Sequence, residues 1–135
     1  YPAHCAVAVS SAKDSQGNAS VEVKVYSEKS SDYYLALYVV EDGIKGYQKD
    51  GSLEYKDYYH QFVTRRMVSQ TVYGDKLGRI QASEEKTASY SIAIDPAWNL
   101  AKTYVYALAM GADGYVNNMQ VCLLDGGSAG YEYKN

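Results

Sequence analysis

The stretch LALYVVEDGIKGYQKDGSLEYKDYYHQFVTRR, residues 35–66, decides how the chain is read. Its first six residues are apolar throughout, where a half-buried strand would alternate with polar ones. Such a run needs partners on both faces or a place at the centre of a sheet. Glu41-Asp42-Gly43 ends it, and Gly43, Gly46 and Gly51 supply turn chemistry in the polar segment that follows. A connection of that length is more often functional than incidental. Residues 58–69 mix helical and alternating patterns, and their aromatic and β-branched content points to a strand.

Outward from this stretch the periodicity is two almost everywhere. Residues 5–11 alternate Cys5, Val7 and Val9 with Ala6, Ala8 and Ser10. Val21, Val23 and Val25 alternate with Glu22, Lys24 and Tyr26. Ala88, Tyr90, Ile92 and Ile94 alternate with Thr87, Ser89, Ser91 and Ala93. Asp95-Pro96 ends that last strand, because proline cannot continue a ladder. Residues 104–111 and 115–124 flank Asp113-Gly114, a strong hairpin signal. Residues 70–85 read as irregular, the glycine-rich residues 126–130 as a tail, and residues 131–135 as a short edge piece or a frayed end.

The pattern predicts an all-β, antiparallel, immunoglobulin-like sandwich of about seven to nine strands, in one domain over residues 1–135. Trp98 is expected to plug one end of the core. Tyr104 or Tyr106 is placed to form a tyrosine corner with the loop around Trp98. Tyr1-Pro2 leads almost directly into a strand, from which we expect the C-terminal part of a longer protein.

Composition narrows the function. The net charge is −3 and Arg65-Arg66 is the only adjacent basic pair, so a nucleic-acid binder is not expected. No apolar run reaches the ~20 residues of a membrane helix. Tyrosine is the outlier, with 16 against one Phe and one Trp. That fits strands with wet faces, and it also fits a recognition surface, since Tyr offers large contact area at low entropic cost. Cys5 and Cys122 fall on faces of opposite character, Cys122 with Asn118 and Gln120 rather than with Met119, Val121 and Leu123. We therefore expect buried or half-buried free thiols rather than a disulfide.

Catalytic signatures do not emerge. His4 and His60 lack companions at metal-binding spacing, and the acidic residues sit mostly in turns, so neither metal nor cofactor is expected. A hydrolase using His60 with Asp57 or Glu41 would need a nucleophile and a cleft that nothing marks. Glu41 or Asp42 can pair with Arg65 or Arg66 to tie the two ends of the opening stretch together.

LYVVEDGIKGYQ, YYHQFVTRR and VYALAMGADGYVNNMQV together resemble the C-terminal immunoglobulin-like domain of an outer-membrane lipoprotein family of Gram-negative gut and oral anaerobes. There the domain typically follows a thioredoxin-like domain. The matching positions are Val40 to Ile44, Gly46, Gln48, Tyr58 or Tyr59, His60, Val63 and Arg65 or Arg66. No C-x-x-C occurs, so no redox chemistry carries over. The resemblance implies an exported protein at the periplasm or outer-membrane surface, non-catalytic, spacing or docking a partner. That partner would be the upstream thioredoxin-like domain, another envelope protein or, in an adhesin-like alternative, a glycan. The candidate binding residues are Tyr47, Tyr55, Tyr58, Tyr59, His60 and Arg65. Glu41, Asp42, Gly43, Arg66, Trp98 and Tyr104 are the candidate structural ones.

Overall fold

The structure, a computed structural model, describes residues 4–42, 62–70 and 74–131. Among the described residues nine strands form: β1 (Cys5–Lys13), β2 (Asn18–Ser27), β3 (Ser31–Asp42), β4 (Phe62–Met67), β5 (Asp75–Ile80), β6 (Glu84–Ala93), β7 (Thr103–Gly111), β8 (Val116–Leu123) and β9 (Gly127–Ala129). They build two antiparallel sheets, the all-β sandwich that the alternation predicts. The first sheet has the order β6-β2-β1-β9. The second has the order β4-β3-β7-β8, with β5 also pairing along β3.

β3 holds the centre of the second sheet, with β7 on one side and β4 and β5 end to end on the other. Its inward residues Tyr33, Leu35, Leu37 and Val39 are fully buried. They meet Val7, Val9, Val21, Val23 and Val25 from the first sheet. Each such side chain contributes about 1.5–3 kcal/mol through burial. Trp98 lies between β6 and β7 and is buried in the same cluster.

Local chemistry sets the connections. Asp14 accepts hydrogen bonds from Gln16 N (2.8 Å) and Asn18 N (3.0 Å), which closes the β1–β2 turn and lowers the pKa of its carboxyl. The β7–β8 hairpin turns through Gly114 at φ +85°, a conformation that an L side chain rarely adopts. Asn99 caps the short 3-10 turn Leu100–Lys102.

Several expectations fail. Residues 70–85 are not irregular: β5 crosses them, kept in register by a bulge opposite Tyr33 and Tyr34. Leu77 and Gly78 break the simple alternation there, which hid the strand. The glycine-rich tail holds a strand, β9, whose three residues pair with Val9–Ser11 of β1, and the expected edge piece at 131–135 falls, apart from Tyr131, outside the described residues. Neither Tyr104 nor Tyr106 makes a tyrosine corner among the described residues. Thr103 takes that place, its hydroxyl donating to Asn99 O at 2.6 Å.

The largest surprise is the orientation of β8. Its polar residues Asn118 and Gln120 are buried with Cys122, while Met119, Val121 and Leu123 point outward. Asn118 Nδ2 donates to Cys5 O (2.9 Å) and its Oδ1 accepts from Met119 N (2.8 Å). Gln120 Nε2 donates to Gly130 O (2.8 Å) and its Oε1 accepts from Val121 N (3.2 Å). The two amides bridge β8 to Cys5 of β1 and to Gly130 just after β9, and so tie the second sheet to the first. Both partners of each amide are satisfied, so its burial costs little. Cys5 and Cys122 are buried free thiols. Burial pushes Cys5 up to about 12 and Cys122 up to about 11.

Candidate functional site

With the apolar side of β8 turned out, the second sheet has an outward face of an unusual kind. Successive strands set three rows across it: Tyr38, Tyr106 and Val121; Val40, Tyr104 and Leu123; Ala36, Leu108 and Met119. Apart from Ala36, which is buried, all are half-buried. Thr64 extends the second row through its pairing with Val40, and Met67, 40% exposed, extends the first through Tyr38. Tyr34, Tyr38, Tyr104 and Tyr106 thus share one side of two neighbouring strands.

A shallow groove of about 340 Å³ runs along this face, lined by Tyr38, Val40, Thr64, Tyr106, Leu108 and Met119. Its polar groups are the Thr64 hydroxyl and the two phenols. Burial raises the pKa of Tyr106, and Tyr104 and Asp42 raise it further, so these three groups stand close enough to sense one another. An apolar surface of linked aromatic rows is the kind that marks a contact site for another macromolecule.

The candidate residues from the sequence fall in two sets. Tyr47, Tyr55, Tyr58, Tyr59, His60 and Gly43 lie outside the described residues, as does Asp57. Arg65 is described, and its Nε stands 2.9 Å from Glu41 Oε1. Glu41, only 8% exposed, also accepts from Asn99 N at 3.4 Å, so it links β4 to the loop that leads into β7. Arg66 stacks over Trp98 with its guanidinium carbon 4.9 Å from the ring centroid, and Nη1 donates to Ala93 O at 2.6 Å. That contact ties β4 of one sheet to the end of β6 in the other. Asp42 and Tyr104 lie on the outward face.

A second polar cluster is internal. Tyr33 OH lies 2.6 Å from Ser27 Oγ and 3.0 Å from His4 Nδ1, and burial pushes the phenol up to about 12. The neighbouring Cys5 thiol is also held neutral by burial, so the group stabilises the interior and offers no activated nucleophile. Among the described residues no three His, Cys, Asp or Glu side chains are grouped to hold a metal ion. None of their helices is long and apolar enough to cross a membrane.

The outward face was missed in the sequence although its signal was present. LALYVV and VYALAM are each apolar on both faces, and Met119, Val121 and Leu123 make one face of β8 apolar. Side by side, these three strands leave one apolar face beyond what a single core uses.

Among protein families, the one described as outer membrane protein Omp28 matches the chain over residues 2–125. No curated protein and no solved structure matches it.

Proposed function

Because the chain belongs to the outer membrane protein Omp28 family, and so to the cell envelope, we propose that it is a docking module there, with no catalysis of its own. Its partner is another envelope protein, and the surface it offers is the outward face of the second sheet. The observation that carries this reading is the set of rows built on Tyr38, Tyr104 and Tyr106, with the groove they border. Aromatic and methionine side chains around an apolar groove favour a protein partner, because such residues are enriched at interface centres. The tyrosine platform also recommends a glycan, the second reading. Against it stands the scarcity of polar groups in the groove, since a sugar brings many hydroxyls to be satisfied.

An exported location at the periplasm or outer-membrane surface, and attachment to a thioredoxin-like domain, belong to the same proposal. The segment that carries Tyr47, Tyr55, Tyr58, Tyr59 and His60 joins β3 to β4 in sequence, and together with Arg65 it forms a separate arm of the proposal.

The test places a photo-crosslinking residue at position 38, 106 or 58, or at Lys24 on the first sheet as control, in cells that make the protein. A discrete protein adduct from positions 38 and 106, and not from 24, supports the outward face. An adduct from 58 alone moves the site to the β3–β4 segment. Equal labelling from every position refutes docking by either surface.

A further inference from the structure

The edges of the two sheets are not treated alike. β8 shields its main-chain edge with the amides of Asn118 and Gln120, β9 is three residues long, and β4 and β5 are six residues each, with a bulge in the pairing of each to β3. β6 is the exception. It runs ten residues in unbroken register with β2, from Asn18 opposite Ala93 to Ser27 opposite Glu84, and it ends its sheet. Among the described residues, Arg66 on Ala93 O is the one side chain that bonds to its main chain. From Thr87 to Ala93 it carries no charge, no proline and no bulge, the devices that usually blunt an edge.

We propose that β6 pairs with β6 of a second copy of this chain, which joins two four-stranded sheets into one of eight strands. The partner is chosen by charge. Glu84 and Glu85 open the strand, Lys86 beside them is turned to Leu77 O (3.0 Å) and leaves that end net acidic, and the Arg66 guanidinium sits at its other end, on Ala93. An antiparallel pairing about a two-fold axis at Ser89 sets Glu85 of each copy opposite Ala93 of the other. The acidic end of each strand then meets the Arg66 end of its mate. Such an interface is isologous and closes on itself, so it yields a dimer and not a fibre. Thr87, Ser89 and Ser91 are exposed, so their side chains leave the joint between the copies free of bulk on that face. Main-chain hydrogen bonds would supply the adhesion and the terminal charges the register.

The experiment is sedimentation velocity over a concentration series, with three variants. The parent chain is expected to shift from monomer to dimer as concentration rises. Ser89→Cys, on the axis, is expected to give a covalent dimer on oxidation. Ser20→Cys, exposed in the middle of the same sheet, is expected to give none. Ser89→Lys puts like charges directly opposite each other and should weaken the dimer by about fivefold or more. Its urea midpoint should stay at the parent value, because Ser89 is exposed, which separates lost pairing from lost folding. A chain that stays monomeric at every concentration, with Ser89→Cys crosslinking no better than Ser20→Cys, overturns the inference. So does a dimer that Ser89→Lys leaves unchanged, since its interface would lie elsewhere.

Discussion

Replacing Asn118 with Leu tests the inverted face of β8. By pattern alone the change looks favourable, because it makes a buried position apolar. Asn118 is 3% exposed and joins two main-chain groups, donating to Cys5 O at 2.9 Å and accepting from Met119 N at 2.8 Å. Leu leaves both without a partner. Each orphaned group costs about 1–3 kcal/mol, and the added apolar burial returns about 1–2 kcal/mol. At mid-range values the net loss is about 2–3 kcal/mol. In urea unfolding, at a slope of about 2 kcal/mol per molar, the midpoint should fall by about 1–1.5 M. The comparison is Met119→Asn on the half-buried outward face, which should cost about 1 kcal/mol or less. Asn118→Leu as stable as the parent, or more so, would refute the amide closure and restore Met119, Val121 and Leu123 as the inward face.

Three further outcomes follow from the geometry. Stability should fall as pH rises from 9 to about 12: Cys5 titrates at about 12 when folded against 9.0 unfolded, and Tyr33 at about 12 against 10.0, so the unfolded chain releases both protons first. Cys122, pushed up to about 11 from 9.0, adds to the loss from the same starting pH, so Cys5→Ala should reduce the loss between pH 9 and 12 without moving its onset, as followed by urea midpoints across the range. Gly127→Ala should destabilise by several kcal/mol, since a Cβ there would run into the main-chain N and O of Leu123, and circular dichroism melting would show it. Arg65→Ala removes the cation beside buried Glu41 and should cost about 1–2 kcal/mol by chemical denaturation, a modest value because solvent reaches the Arg65 side chain.

Much of the fold was legible because alternation records burial directly. Val21, Val23 and Val25 face the core as their spacing says, and Asp113-Gly114 turns the hairpin where expected. β5 was hidden because Asp75, Leu77 and Gly78 interrupt the pattern and a bulge restores it only in the paired sheet. The orientation of β8 was hidden for another reason. Hydrophobicity ranks Asn118 and Gln120 as outward residues, and only the nearness of Cys5 O and Gly130 O, more than 100 and 10 positions away, makes them better buried. Reading LALYVV as a central strand was sound, and its place between β7 and the β4–β5 pair agrees. What that reading omitted was the far side of the strand. Tyr38 and Val40 join Tyr104 and Tyr106 only once β7 lies alongside.

The docking surface is tested most directly by Tyr38→Glu together with Tyr106→Glu, assayed by crosslinking from a photoreactive residue at position 108 in cells. The parent should give a discrete protein adduct. The double variant should lose it while still unfolding in a cooperative urea transition, at a midpoint below the parent's because the two new carboxylates face each other across β3 and β7. An adduct that survives both charges, in a protein that remains folded, would contradict the outward sheet face as the place where the partner binds.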